Sequence, residues 1–221
     1  MPAWSYSSVK LFDQCPRKYN HLRVLKDVKE DLSEHLVYGN EVHKAAEDYV
    51  KQGTPIPDNL QHTLPVIDAL KNKPGEKDCE LRLGVEKQGD EYTPCVFFDN
   101  NVWLRTVVDL LIVNGTEGWL IDYKTGKNVR YADARQLHVM AGASFVHYPQ
   151  LETIRAGLAY LDTDDIIEEA YVAEDKDACL NTFSSQLDRL QGAVDSGMWN
   201  ANPGPLCGWC PVKSCEHHRE R

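Results

Sequence analysis

The chain has 221 residues, 42% of them apolar, and a formal net charge of −10 at neutral pH. That is enough chain to bury a substantial core, and it contains no apolar run long enough to span a bilayer. The acidic balance excludes a protein that coats nucleic acid by bulk charge, although a local basic groove on an acidic protein still holds phosphates. The opening residues, Met1-Pro2-Ala3-Trp4, lack a basic segment followed by an apolar stretch, so no signal peptide is expected and a cytoplasmic protein is the default.

Residues 5–25 read as a helix, with Ser5, Ser7 or Ser8 as cap and Val9, Leu11, Phe12, Tyr19 and Leu22 as a broken apolar stripe. A second helix is expected over 33–51, capped by Ser33 and stopped by the turn-rich Gly53-Thr-Pro-Ile-Pro-Asp58. A third is expected over 58–72, ending at Lys73-Pro74-Gly75. The period then changes to that of strands. Cys79, Leu81, Leu83 and Val85 alternate with Glu80, Arg82, Gly84 and Glu86 as a half-buried strand, which points Glu80 outward, though it is close enough to turn into a site. Strands follow at 92–98, 102–114 and 117–124, the last two joined at the hairpin signal Asn114-Gly115. Residues 131–147 return to a helical pattern, strands are expected near 153–161 and 166–173, and a helix near 176–197. The tail, 198–221, is rich in Pro, Gly and Cys. This order predicts a mixed α/β core with helices on its faces, in a single domain spanning 1–221.

Two strands carry charge where the pattern wants apolar residues. Asp109 shares a face with Val107 and Leu111 by the period-2 rule, and a carboxylate there is expensive to bury without compensation. Asp122 and Lys124 are two residues apart and project from one face. The hairpin brings Asp109 and Asp122 together at one end of the sheet. Two close carboxylates repel unless a cation lies between them, and Mg²⁺ suits oxygen ligands of this kind. Such an ion polarises a phosphoryl group, and an adjacent lysine offsets charge in the transition state. Taken alone, Asp122 and Lys124 are equally well explained by a structural ion pair. Their companions favour chemistry: His43 on the second helix in line with Gly39 and Glu47, a small Gly39 that lets another element approach, and Gln136 on the helix after the Asp-x-Lys strand. Lys127 and Arg130 add a basic edge suited to phosphates.

Cys79, Cys95 and Cys179 stand alone and read as small buried hydrophobes. Cys15, Cys207, Cys210 and Cys215 read as a metal site, because a Cys-x-x-Cys pair in a cytosolic protein suggests metal or redox chemistry before a disulfide. Four thiolates suit a [4Fe–4S] cluster; zinc held by Cys207, Cys210, Cys215 and either His217 or His218 is the rival.

These motifs together resemble the RecB-like branch of the PD-(D/E)XK nuclease superfamily. The resemblance rests on Gly39-x-x-x-His43, Asp109 at the end of an apolar strand, Ile121-Asp-Tyr-Lys-Thr-Gly126 and Gln136-Leu137. The four cysteines, with Cys15-Pro16 near the start, are similar to the iron–sulfur subgroup that includes the four-cysteine CRISPR-adaptation nucleases. The resemblance implies a restriction-endonuclease-like mixed central sheet flanked by helices, with residues 1–30 and 198–221 joined as an iron–sulfur subregion. It implies Mg²⁺ or Mn²⁺ held by His43, Asp109, Asp122 and the Tyr123 carbonyl, with Lys124 catalytic and Gln136 positioning substrate. It favours the [4Fe–4S] cluster over zinc. The implied activity is a metal-dependent DNA exonuclease acting on single-stranded or end-processed DNA. The Tyr6, Phe12, Arg17, Lys18 and Tyr19 region would grip the strand by stacking and phosphate contact, with core packing the rival role for these aromatics and the favoured one for Phe12, and Lys127 and Arg130 would add phosphate contacts. A homo-oligomer, or a partner in recombination or replication, is compatible with this reading. So is a stand-alone enzyme of phage or viral origin acting in the host cytoplasm. The alternative is a non-catalytic, metal-stapled module for nucleic-acid or protein binding. Two departures stand out: Met140 where the family often has Tyr, and a gap between Cys210 and Cys215 one residue shorter than the common pattern.

Overall fold

The computed structural model describes residues 3–30, 33–126 and 129–219. The helices are α1 (Tyr6–Gln14), α2 (Pro16–Tyr19), α3 (Glu34–Gln52), α4 (Leu64–Lys71), α5 (Arg135–His147), α6 (Lys176–Leu180) and α7 (Ser184–Ser196). The strands are β1 (Glu76–Gln88), β2 (Glu91–Cys95), β3 (Leu104–Asn114), β4 (Glu117–Lys124), β5 (Thr153–Tyr160) and β6 (Asp165–Val172). They form one six-stranded mixed sheet in the order β2-β1-β3-β4-β5-β6. Only the β4–β5 pair is parallel, and α5 supplies its crossover. The chain divides into two units, one from residues 1–32 and 183–221, the other from residues 33–182. No helix among the described residues is long and apolar enough to cross a membrane.

The larger unit holds the sheet. On one side Val42 and Ala46 of α3 and Ile67 of α4 pack on Cys79, Leu110, Ile112, Ile121 and Tyr123 of the strands. On the other, α5 is buried continuously from Val139 to Val146, which is why its apolar pattern lacks a clean solvent face. Its Gly142 admits α6: a Cβ there would lie 2.9 Å from Leu180 Cγ. The Asn114-Gly115 signal gives the expected hairpin, with Gly115 at φ 62° and Asn114 paired to Glu117.

Three expected helices are interrupted, each for a local reason. The helix expected over 5–25 breaks at Cys15, whose backbone is extended (φ −164°, ψ 108°) because Pro16 follows it, and resumes as a single α-turn and then a π-helical turn over Asn20–Leu25. The one expected over 58–72 is a 3₁₀ segment, Asp58–Thr63, followed by α4, with Pro65 in the first turn of α4 where its missing N–H costs least. The one expected over 176–197 stops at Leu180, where the Asn181 side chain donates to the Asp177 carbonyl and Thr182 Oγ1 to the Cys179 carbonyl.

In the smaller unit, α1 starts with a reciprocal cap: Ser8 N–H donates to Ser5 Oγ and Ser5 N–H to Ser8 Oγ. Phe12 and Tyr19 pack with Leu190 and Ala193 of α7, and Tyr19 stacks on Trp199 at 6.0 Å between ring centroids.

Candidate active site

The β3–β4 ladder runs from Asn114↔Glu117 to Leu110↔Ile121 and stops one pair short of Asp109 and Asp122. Freed from the ladder, the Tyr123 N–H donates to Asp109 Oδ2 at 2.6 Å. On the other side of β3, β1 pairs Cys79 with Leu110 and Leu81 with Val108, leaving Glu80 opposite Asp109. Glu80 breaks the expected alternation. Its φ of 51° is left-handed, a conformation that costs a non-glycine residue roughly 1–3 kcal/mol and that clusters at functional sites. Its carboxylate, still 37% exposed, is directed toward the site, with Oε1 3.9 Å from His43 Nδ1, and nothing in the side-chain pattern of β1 signals it.

His43 reaches this end of the sheet from α3. Its Nε2 donates to the Tyr123 carbonyl at 3.1 Å, which leaves Nδ1 facing Asp109 Oδ1 at 3.3 Å and Glu80 Oε1 at 3.9 Å. One ligand atom from each of His43, Glu80 and Asp109 lies within 4.8 Å of the others. Gly39, one turn earlier, is approached only by Thr125 Oγ1, at 3.4 Å from where a Cβ would stand, an ordinary contact rather than a tight one.

Asp122 and Lys124 sit beside this trio as an ion pair, Nζ to Oδ2 at 2.5 Å. Gln136 of α5 spans both: its Nε2 donates to Asp122 Oδ1 at 2.6 Å, and Lys124 Nζ donates to its Oε1 at 3.0 Å. Gln136 is therefore directed at the acid and the lysine.

The electrostatics are those of crowded carboxylates. Burial pushes the Asp122 carboxyl up to about 6, with Lys124 pulling it down and Asp109 pushing it further up. Burial and then Asp109 raise the Glu80 carboxyl. For His43, burial opposes the charged form, but the hydrogen bond and charge of Asp109, then Asp122 and Glu80, prevail and hold the imidazole above its ordinary range. A cation held here would offset the crowded carboxylates and favour the neutral imidazole of His43. One imidazole nitrogen and several carboxylate oxygens make a donor set that fits a hard divalent ion.

The other expected residues fall elsewhere. Arg130 is exposed in a short 3₁₀ turn, Val129–Tyr131, and Lys127 lies outside the described residues. Met140 is buried within α5 and presents nothing to a substrate. In the smaller unit Arg17 pairs with Glu216, Lys18 pairs with Glu30 at 2.8 Å, and Tyr19 is core. Cys79 and Cys179 are buried thiols, pushed up by burial to about 11 and about 12, whereas Cys95 is half-buried.

Cys15, Cys207, Cys210 and Cys215 all line one small cavity of the smaller unit, together with Arg17, His217 and His218. Their sulfurs draw N–H donors: Lys18 N and Asn202 N to Cys15 Sγ, each at 3.5 Å, and Gly204 N to Cys207 Sγ at 3.3 Å. Arg17 Nη1 adds a contact to Cys215 Sγ at 3.7 Å. Among the described residues these thiols and histidines are not drawn into a group within 4.8 Å, as the His43 trio is.

The fold resembles that of a candidate exonuclease from Eubacterium rectale, with a TM-score of 0.52 and 13% identity over 99% of this chain and 88% of that one. The protein SSO0001 aligns over the same shares of the two chains with a TM-score of 0.45 and 14% identity. No curated protein matches the sequence. The family model of the PD-(D/E)XK nuclease superfamily matches residues 3–215, and with a match of that extent the chain belongs to the PD-(D/E)XK nuclease superfamily.

Proposed function

We propose that this protein is a metal-dependent DNA exonuclease of the RecB-like, iron–sulfur kind, acting on single-stranded or end-processed DNA. One observation carries the catalytic part: Glu80 and Asp109 face each other on adjacent strands beside His43, with the Asp122–Lys124–Gln136 chain next to them. Like charges so placed destabilise a sheet unless a cation offsets them.

His43, Glu80, Asp109 and Asp122 would hold Mg²⁺ or Mn²⁺, with the Tyr123 carbonyl as a further oxygen; the imidazole nitrogen favours Mn²⁺, since Mg²⁺ prefers an all-oxygen shell. When bound, such an ion polarises the scissile phosphoryl group and lowers the pKa of a coordinated water. Lys124, fixed between Asp122 and Gln136, orients the attacking water and offsets charge on the phosphorane-like transition state. Gln136 holds both partners at their distances. Asp109 is fixed by the Tyr123 N–H, so its second oxygen stays directed at His43.

The four cysteines would hold a [4Fe–4S] cluster. The shared cavity and the N–H donors aimed at sulfur support this, since such donors stabilise thiolates around a cluster.

The test is degradation of end-labelled linear, circular and single-stranded DNA with Mn²⁺. Asp122→Ala and Lys124→Ala should each lower the rate at least ~100-fold. Wild-type protein that digests DNA no faster than these variants would refute the catalytic reading. Circular DNA cut as fast as linear would refute the exonuclease assignment. Anaerobically purified protein should be brown and contain iron; stoichiometric zinc without iron would refute the cluster.

A further inference from the structure

The loop after β2 carries a feature that the catalytic chemistry leaves unused. Val96 and Phe98 are each 71% exposed, and Phe97 and Phe98 meet edge to face at 5.0 Å between centroids. Arg105 of β3 lies 6.0 Å from the Phe97 centroid and 5.9 Å from that of Phe98, and its Nε donates to the Phe97 carbonyl at 2.7 Å. Arg82 of β1 lies 5.9 Å from the Phe97 centroid. Arg17, Arg135 and Arg189 stand in ion pairs, whereas among the described residues neither Arg82 nor Arg105 has a carboxylate partner. On a chain of net charge −10, two arginines held by aromatic rings and not by acids are positioned for an outside anion.

Their place on the strands relates them to the acids. Arg82 is two residues from Glu80 on β1, and Arg105 is four residues from Asp109 on β3. At a strand's rise of about 3.3 Å per residue these separations are roughly 7 Å and 13 Å. That span reaches a few nucleotides along one strand. The exposed apolar area is two side chains. A stable protein interface needs about 800 Å² per partner, whereas a single ring is the size of a nucleobase. From these observations we infer that Arg82, Arg105, Phe97 and Phe98 form a strand-holding clamp for DNA, stacking an unpaired base on Phe98 and pairing phosphates with the arginines a few nucleotides from the scissile bond. This inference rests on the nuclease reading for its ligand, but binding alone tests it.

Binding of a fluorescein-labelled oligothymidylate, followed by anisotropy in EDTA, reads the clamp with hydrolysis switched off. Phe98→Ala should weaken binding by about tenfold, in line with the loss of one stacked base, and Phe98→Trp should restore it. Arg82→Gln and Arg105→Gln should each weaken binding and each reduce the slope of log K against log salt by about 0.7, whereas Phe98→Ala leaves the slope unchanged. Equal affinity and slope in all variants would overturn the clamp. So would a wild-type protein that does not bind the oligonucleotide, or a Phe98→Ala variant that changes only self-association in sedimentation. Wild-type protein that binds DNA through these residues yet cleaves none with Mn²⁺ would overturn the nuclease reading and leave the clamp standing.

Discussion

At the scale of single residues, the site is a balance of like charges. Asp122 has a carboxyl raised to about 6, above its ordinary value near 3.9. A carboxyl so raised adds stability below about pH 4 and loses it as pH climbs through about 6. The raised imidazole of His43 acts in the same direction, since its contribution is present in acid and lost on deprotonation. The metal-free protein should therefore lose stability between about pH 4 and 6 through Asp122, and further above about pH 6.5 through His43, and thermal scans of Asp122→Asn should show a flatter dependence over the lower range. Mn²⁺ at about a hundred times its Kd should add ~2.7 kcal/mol at neutral pH, or several degrees in Tm for a chain of this size. Glu80→Gln should raise the metal-free Tm while weakening Mn²⁺ binding ~10–100-fold by calorimetry. A Glu80→Gln protein that binds Mn²⁺ like wild type would remove Glu80 from the ligand set.

At the scale of elements, α5 and α7 carry helical glycines of opposite meaning. Gly142 of α5 lies against α6, where a Cβ would meet Leu180 Cγ at 2.9 Å, whereas Gly192 of α7 has nothing within 4 Å. Gly142→Ala should therefore destabilise by roughly 1–3 kcal/mol through overpacking. Gly192→Ala should stabilise by ~0.5–1 kcal/mol through helix propensity and a stiffer unfolded chain. Chemical denaturation of the pair decides it; a shift of the same sign for both would contradict this packing. Boundaries follow the same logic. Pro16 and Pro65 set two interruptions that a periodicity count passes over, because an apolar stripe continues across a break that the backbone cannot.

At the scale of the whole molecule, residues from both ends of the chain belong to the smaller unit, and its cysteines line one cavity. If a cluster holds them, Cys215→Ser should lose iron, and amides in 1–32 and 183–221 should exchange faster in hydrogen-exchange mass spectrometry. Residues 33–182, with their own sheet and core, should keep their protection. Loss of protection across the sheet instead would mean that the metal supports the entire fold.

The sequence by itself determined the order of helices and strands and the hairpin at Asn114-Gly115, and it singled out the candidate residues: His43, Asp109, Asp122, Lys124, Gln136 and the four terminal cysteines. These were legible because period, turn chemistry and charge in an apolar strand are local signals. The tertiary structure alone decided that Glu80 is directed toward the site, since its left-handed backbone depends on pairing with β3 rather than on its neighbours in sequence. It decided that Gln136 bridges Asp122 and Lys124 and that Arg82 and Arg105 gather around the Phe97–Phe98 loop. Those contacts join residues distant along the chain or on different strands, and only the packing of the sheet and α5 brings them within reach.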